Sequence, residues 1–136
     1  MTPEGKVKKF VEKYMDQHFP EAWKYNPPGG AFGRAGTPDK FYLYKGVFIA
    51  IEVKADNGSA TKLQMKTLQK LKEQGCIAAI VKGCDEHRMD LIRKAVSVAK
   101  SLKMNILSIH QVPFLNFQIH VQALEISAKK IFHKKL

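Results

Sequence analysis

The chain has 136 residues, a length that suits a single domain able to bury a core without disulfide support. Lysine and arginine outnumber aspartate and glutamate by 23 to 12, and the formal net charge of +11 favours a polyanionic partner, either the phosphate backbone of a nucleic acid or an acidic membrane surface. No apolar run approaches the roughly 18 residues of a membrane span, and no apolar signal core follows the first charges, so we expect a cytoplasmic protein.

The N-terminal segment predicts a helix over residues 2–18, with Thr2 as the N-cap and Pro3 at the first helical position. An apolar stripe at helical spacing follows, made of Val7, Phe10, Val11 and Tyr14. Glu4 falls on this stripe and Glu12 falls away from it, so Glu4 is the acid that we expect to face inward. An acid in the first turn also interacts favourably with the positive helix N-terminus, and this simpler role is the alternative.

A glycine-rich loop separates this helix from the centre of the chain. Residues 21–25 predict a short strand, and the Pro-Pro-Gly-Gly sequence at 27–30 breaks regular structure. The loop then runs to Gly36 and carries Phe32 and Arg34. These two side chains suit contact with a nucleic-acid backbone or an unpaired base. The alternative is a mobile linker.

Two extended runs predict an antiparallel hairpin over residues 40–44 and 47–53, closed by a turn at Lys45 and Gly46. The second run is apolar enough for a central strand covered on both faces. Asp39 precedes the first run, and Glu52 and Lys54 end the second. Because side chains alternate along a strand, Glu52 and Lys54 share one face. We therefore expect the three groups to converge at the rim of the sheet, open to solvent.

Two converging carboxylates repel each other unless a cation lies between them. Mg²⁺ binds through a few carboxylate oxygens and also accepts phosphate oxygens. A lysine beside such an ion is placed to orient water or to neutralise charge on a phosphate. The set formed by Asp39, Glu52 and Lys54 therefore suits metal-assisted phosphodiester hydrolysis. A Glu-Val-Lys triplet is also common on solvated sheet faces, where the two charges simply pair.

A second helix is predicted over residues 60–73, with Ser59 as its N-cap and Gly75 just past its end. Its predicted core face is Leu63, Leu68 and Leu71, with Met65 as a possible filler. Its lysines add cationic surface close to the candidate site, and they are Lys62, Lys66, Lys70 and Lys72. Arg34, Lys62 and Lys66 are the residues that we predict to bind DNA.

The remaining elements complete an α/β pattern. A buried strand is predicted at 76–81, beside the strand of Glu52, and a third helix at 85–103. The buried face of that helix is predicted to carry Met89, Ile92, Ala95, Val96 and Ala99. Beyond it we predict weak strands at 106–109 and 117–121, a short helix at 123–132, and a basic tail.

The order and spacing of three short motifs resemble the VRR-NUC family of the PD-(D/E)XK nuclease superfamily. They are Gly36-Thr37-Pro38-Asp39, then Ile51-Glu52-Val53-Lys54, then Gln64, within about residues 4–82. The resemblance implies a restriction-endonuclease-like α-β-β-β-α-β core, with a mixed sheet flanked by helices and a C-terminal extension. We expect one domain over residues 1–136, with its core at about 2–103 and the extension at about 104–136.

The resemblance implies a DNA endonuclease that depends on Mg²⁺ or Mn²⁺. Asp39, Glu52 and the backbone carbonyl of Val53 would bind the metal, and Lys54 would position the attacking water. A family glutamate near the start of the first helix reaches the metal directly or through water, and Glu4 matches it. A family glutamine contacts the active site or its lysine, and Gln64 matches it, although a solvated glutamine is the simpler reading.

By analogy with stand-alone members of the family, the resemblance implies that the substrate is branched DNA such as a four-way Holliday junction, and we expect a homodimer of phage or prophage origin. A second hypothesis is a basic DNA-binding module without catalysis, and a third is a nuclease for ordinary duplex or RNA. Cys76 and Cys84 have no metal or redox spacing and are expected to be free thiols. The histidine spacings predict no zinc site, with His110 and His120 as a remote exception.

Overall fold

The computed structural model describes residues 1–29 and 33–109, with side chains described up to residue 103. The helices and strands of this part, in chain order, are α1 (Pro3–His18), β1 (Trp23–Tyr25), β2 (Lys40–Tyr44), β3 (Val47–Lys54), α2 (Lys62–Glu73), β4 (Ile77–Lys82) and α3 (Glu86–Ile109). This is the predicted order of elements. Among the described residues no helix is both long and apolar enough to cross a membrane.

One mixed sheet organises the fold, with the strand order β1-β2-β3-β4. β1 pairs with β2 and β2 with β3 in antiparallel fashion, whereas β3 and β4 are parallel. The hairpin between β2 and β3 turns at Lys45 and Gly46, whose φ angles of 47° and 78° are both positive, as in the tight turns that match the twist of antiparallel strands. The predicted hairpin, the mixed sheet with β4 beside β3, and the α/β class are confirmed.

α1 and α3 cover one face of this sheet and form the main core. β3 contributes Ile49, Ile51 and Val53, all fully buried, because alternate residues of a strand point to the same face. The helices supply Val7, Val11, Tyr14, Met15, Met89, Ile92 and Val96. The predicted stripe of α1 is confirmed, with Met15 as an addition. Burial of each such aliphatic side chain contributes about 1.5–3 kcal/mol, so β3 is held firmly at the centre.

A buried lysine joins α1 to the start of β2. Lys40 is opposite Ile51 in the β2–β3 ladder and therefore faces the main core. Its amine binds the carboxylate of Glu12 and lies 3.3 Å from Oδ1 of Asn26. Because Lys40 is 3% exposed, loss of its acidic partner would leave a buried charge uncompensated. The acid that faces away from the apolar stripe of α1 thus fixes α1 against the residue that follows Asp39.

The opposite face of the sheet carries a smaller core beneath α2. It consists of Ala50, Leu68 and Ala78, with Leu71 packed at its edge. The prediction that Leu63 and Met65 contribute to this core is wrong, because both are exposed. Leu63 lies instead against the loop before β2, where a Cβ added to Gly36 would come within 2.6 Å of its Cγ. Gly36 is required there, since its φ is also positive.

Several element boundaries differ from the predicted ones. The N-cap of α2 is Thr61, not Ser59, and α2 begins at Lys62. The predicted strand at 106–109 is wrong, because α3 continues through these residues. A short apolar run fits a buried helix segment as well as a strand, so its pattern did not distinguish them. Ala95, predicted to lie on the buried face of α3, is exposed.

Two units of chain are distinguished by their internal packing, residues Met1–Lys100 and Ser101–Leu136. All four strands of the described residues belong to the first unit. In the second, the structure describes the end of α3. The single domain over residues 1–136 therefore stays a prediction, and the predicted strand at 117–121, the helix at 123–132 and the basic tail lie outside the described residues. Neither Cys76 nor Cys84 takes part in a disulfide in the part of the chain that the structure describes.

Candidate active site

The β2–β3 hairpin places Asp39 beside Glu52. Lys40 pairs with Ile51, so the residue before β2 lies opposite the residue after Ile51. The Oδ2 atom of Asp39 accepts a hydrogen bond of 2.9 Å from the backbone N–H of Val53. The aspartate is therefore fixed directly to the backbone of the strand that carries the glutamate.

Lys54 and Glu52 share a face of β3, as the alternation of the strand predicts. The Nζ atom of Lys54 lies 2.6 Å from Oε1 of Glu52. Val53, between them, is buried on the opposite face in the main core. The structure thus brings together the three residues on which the sequence hypothesis rests.

Glu52 is buried rather than open to solvent, so the expectation of an open site is wrong for this residue. It is 1% exposed, whereas the side chains of Asp39 and Lys54 are 21% and 14% exposed. Its Oε1 atom accepts from Lys54, while its Oε2 atom is buried and has no hydrogen-bond partner in the described structure. Burial raises the pKa of Glu52, and the contact with Lys54 offsets part of that rise. The negative charges of Asp39 and Glu4 raise the pKa further.

Gln64 links the start of α2 to Glu52. Its backbone N–H donates to Oγ1 of Thr61 at 3.2 Å, and its side-chain oxygen accepts from the backbone N–H of Thr61 at 2.8 Å. This reciprocal pair is a capping box, which satisfies two donors at the helix start. The amide nitrogen is then directed at Oε1 of Glu52, to which it donates a hydrogen bond. The helix cap therefore orients the glutamine toward the candidate site.

Lys8 is a site residue that the sequence analysis missed. Its Nζ atom lies 2.8 Å from Oδ1 of Asp39 and 3.1 Å from Oε1 of Glu4. Burial lowers the pKa of Lys8, but the contacts with Asp39 and Glu4 outweigh it and the pKa is raised. The spacing of Glu4 and Lys8, four residues apart on a helix, was the available signal. Glu4 approaches Asp39 through this shared lysine.

The carboxylates suit a hard divalent cation in type and placement. Asp39 and Glu52 supply the oxygen ligands that Mg²⁺ prefers, and the carbonyl of Val53 belongs to the same strand. The unpartnered Oε2 atom of Glu52 is an acceptor directed at no protein donor. In the described part of the chain, no group of three or more His, Cys, Asp or Glu side chains is gathered as metal ligands. Lys8 and Lys54 neutralise the acids there instead.

A cationic groove runs beside the site, between α2 and the loop before β2. Its volume is about 680 Å³, and Arg34, Lys66 and Lys70 line it together with Pro38 and Phe41. Two of the three predicted DNA-binding residues, Arg34 and Lys66, thus lie in one groove. The third, Lys62, is exposed at the start of α2 but does not line the groove. Phe32 lies outside the described residues.

A smaller cavity of about 240 Å³ reaches the candidate site itself. Asp39 lines it, together with Arg34 and residues of the two loop segments on either side of the undescribed residues 30–32. The loop that carries Arg34 therefore borders both the groove and Asp39, which is the more exposed of the two carboxylates.

Two solved structures share this fold. One is described as a "VRR_NUC domain", with 21% identity and a TM-score of 0.52, and the match covers 71% of this chain and 97% of that chain. The other, a "VRR_NUC domain protein", has 22% identity and a TM-score of 0.55, with 71% of this chain and 90% of that chain covered. No protein-family model and no curated protein matches the sequence. The fold expected from the VRR-NUC resemblance is confirmed, as a mixed sheet with helices on both faces.

Proposed function

We propose that this protein is a metal-dependent endonuclease that hydrolyses phosphodiester bonds in DNA. The observation that carries the proposal is the convergence of Asp39, Glu52 and Lys54 at the end of the β2–β3 hairpin opposite its turn, in a chain with the fold of the VRR-NUC structures. A carboxylate pair with an adjacent ammonium group suits metal-assisted phosphodiester hydrolysis, because the acids can bind the ion and the ammonium group can offset charge on the phosphate.

Each residue has a distinct role in this proposal. Asp39, Glu52 and the carbonyl of Val53 would hold Mg²⁺ or Mn²⁺, and Gln64 fixes the orientation of the glutamate. When bound, the ion would polarise the scissile phosphate and make a nearby water more acidic. Lys54 positions the attacking water and offsets negative charge that develops on the phosphate. Glu4 is near enough to share Lys8 with Asp39 and supports the site from α1.

DNA is the proposed substrate because the chain is strongly basic and its charge is present beside the site. The net charge is +11, and Arg34, Lys66 and Lys70 line the groove next to Pro38. Contacts with phosphates of this kind position a nucleic acid without reading its sequence. Branched DNA, formed in replication, recombination or repair, is the proposed structural class. A homodimer in the cytoplasm of a bacterial or phage-infected cell is the corresponding setting.

A DNA-binding module without catalysis is the second candidate. It is favoured by the two lysines that already neutralise the acids, Lys8 on Asp39 and Glu4, and Lys54 on Glu52. In such a protein the cluster is a set of structural ion pairs. DNA binding would then fall with salt but would be independent of divalent metal.

The decisive experiment measures cleavage of four-way junction, flap, nicked and linear duplex DNA in Mg²⁺, Mn²⁺ or EDTA. We expect the wild type to cleave at least one of these DNAs with either metal and none in EDTA. Asp39→Asn and Lys54→Met should reduce cleavage to background while circular dichroism shows an intact fold. Adding RNA of the same shape as a competitor shows whether the protein prefers DNA or RNA.

Lys82→Met is the matched control, because Lys82 is exposed and pairs with Lys54 across the β3–β4 ladder. It removes one positive charge from the adjacent strand at the same register, and we expect cleavage to persist. Full cleavage by both Asp39→Asn and Lys54→Met would refute the assignment of these residues. Metal-independent DNA binding without any cleavage would favour the second candidate.

A further inference from the structure

A row of four nearly parallel aromatic rings crosses the α2 side of the sheet. Trp23 and Tyr25 of β1 have ring centroids 6.0 Å apart at an interplanar angle of 15°. Tyr25 and Phe41 are 6.4 Å apart at 23°, and Phe41 and Phe48 are 5.5 Å apart at 25°. We call these four rings the aromatic row. Its members alternate with residues of the other face, so the sheet itself presents them together.

The outer half of the aromatic row is exposed. Trp23 is 57% and Tyr25 is 46% exposed, and Leu43 next to them is exposed as well. Among the described elements, α2 packs over β3 and β4, while β1 lies beyond its reach. Solvent-exposed apolar area of this kind, in a contiguous patch, marks an interaction surface. An occupant of this patch would need flat apolar faces to cover the rings.

The aromatic row leads directly into the cationic groove. Phe41 belongs to both, since it stacks with Tyr25 and lines the groove with Arg34, Lys66 and Lys70. Pro38, which also lines the groove, immediately precedes Asp39. Flat rings, then positive charge, then the candidate catalytic carboxylates thus follow one another along the same side of the molecule.

This combination matches the chemistry of single-stranded nucleic acid. Each base has a flat face that stacks on an aromatic ring, and each phosphate carries a negative charge that pairs with lysine or arginine. In a duplex the base faces are already stacked on one another, so they are not free to cover Trp23 and Tyr25. A second copy of the protein would cover the exposed rings. Because the chain has a net charge of +11, however, that copy would also bring positive charge against the cationic groove.

We propose that Trp23, Tyr25 and Phe41 form a stacking platform for the unpaired bases of a DNA substrate. The phosphates of that strand lie along Arg34, Lys66 and Lys70, and the phosphodiester that is cut lies beyond them, at Asp39 and Glu52. The inference rests on the proposed function and makes it more specific. It selects substrates with a single-stranded segment next to the cleavage point, such as flaps, overhangs and open junctions, over continuous duplex.

The protein contains its own reporter, because Trp23 is its single tryptophan. The experiment titrates the full chain, in EDTA, with oligothymidylate and with a blunt hairpin duplex that has the same number of phosphates. Tryptophan fluorescence and the anisotropy of an end-labelled oligonucleotide are measured together. We expect oligothymidylate to quench Trp23, since stacking places a base against the indole, and the duplex to bind without quenching.

Tyr25→Ser and Trp23→Ala test the platform by removing one ring each. Because stacking on one ring contributes on the order of a tenfold change in affinity, each should weaken oligothymidylate binding by about that factor and leave duplex binding unchanged. Val98→Ser on α3 is the control, because Val98 is exposed and far along the chain from the aromatic row. It should change neither affinity.

Equal quenching by duplex, or oligothymidylate binding without quenching, would overturn the inference. So would a free protein whose Trp23 fluorescence is shielded from acrylamide, since the rings would then be covered by the chain or by a second copy. If Tyr25→Ser changed the molecular mass measured by sedimentation, the aromatic row would be a dimer contact instead. All these readouts are taken without cleavage, so a protein that quenches but never cuts DNA refutes the nuclease proposal alone.

Discussion

The two carboxylates of the candidate site, those of Glu52 and Asp39, are held in place by different kinds of contact. Glu52 is buried on the central strand and receives hydrogen bonds from Lys54 and from Gln64, which is itself fixed by the cap of α2. Asp39 is more exposed and is held by the backbone N–H of Val53 and by the flexible amine of Lys8. The position of Glu52 is therefore fixed by residues of the sheet and of α2. Asp39 instead has one contact with the backbone of β3 and one with a lysine side chain that is free to move away.

This difference predicts that substitutions around the two carboxylates have unequal effects. Changes around Glu52 should alter both the local structure and the reaction. Substitution of Lys8, which contacts Asp39, should alter the apparent metal affinity and little else. Three substitutions, taken from the largest expected effect to the smallest, test this ranking.

Glu52→Gln should give the largest effect, with loss of cleavage and of metal-induced stabilisation. Metal at about a hundred times its dissociation constant stabilises a folded protein by about 2.7 kcal/mol, which is visible as a raised Tm in the wild type. The glutamine amide lacks the negative charge that binds Mg²⁺, so the Tm of the Glu52→Gln variant should not rise when metal is added. Glu73→Gln, an exposed glutamate on α2, is the control. A normal metal response in Glu52→Gln would exclude this residue as a ligand.

Gln64→Ala should give an intermediate effect. Loss of an outer-shell partner typically lowers metal affinity or activity by about 10- to 100-fold, and loss of a helix-capping contact costs about 1 kcal/mol in stability. Thermal unfolding and cleavage rates measure the two separately. Gln64→Glu keeps an acceptor for the backbone N–H of Thr61 but brings a second negative charge to Glu52, so it should retain the cap and still lose activity. Gln69→Ala, further along α2, is the control, and an active Gln64→Glu would contradict the proposed donor role.

Lys8→Met should give the smallest effect, in the opposite direction. The amine of Lys8 competes with a divalent cation for Asp39, and exposed ion pairs of this kind are worth up to about 1 kcal/mol. We therefore expect half-maximal metal binding at a concentration about two- to fivefold lower than in the wild type. Calorimetric titration with Mn²⁺ measures this directly. Lys9→Met removes the neighbouring exposed amine and should have no effect. Weaker metal binding in Lys8→Met would show that the lysine supports the site.

The hairpin and its site residues were predictable because their signals are local. Lys45 and Gly46 close a tight turn, and strand alternation alone puts Glu52 and Lys54 on one face. Lys8 escaped prediction because its partner Asp39 is distant in sequence. Leu63 was assigned to the core because its helical spacing is correct, although the loop at Gly36, and not the sheet, lies against it.

The sequence by itself determined the order of elements, the α/β class and the candidate carboxylate pair, because turn chemistry and side-chain periodicity act over a few residues. Only the tertiary structure decided that Glu52 is buried, that Lys8 joins α1 to Asp39, and that four rings from three strands form one row. These features depend on which elements become neighbours. Burial and long-range ion pairing are properties of the packed molecule, and no short stretch of the chain contains them.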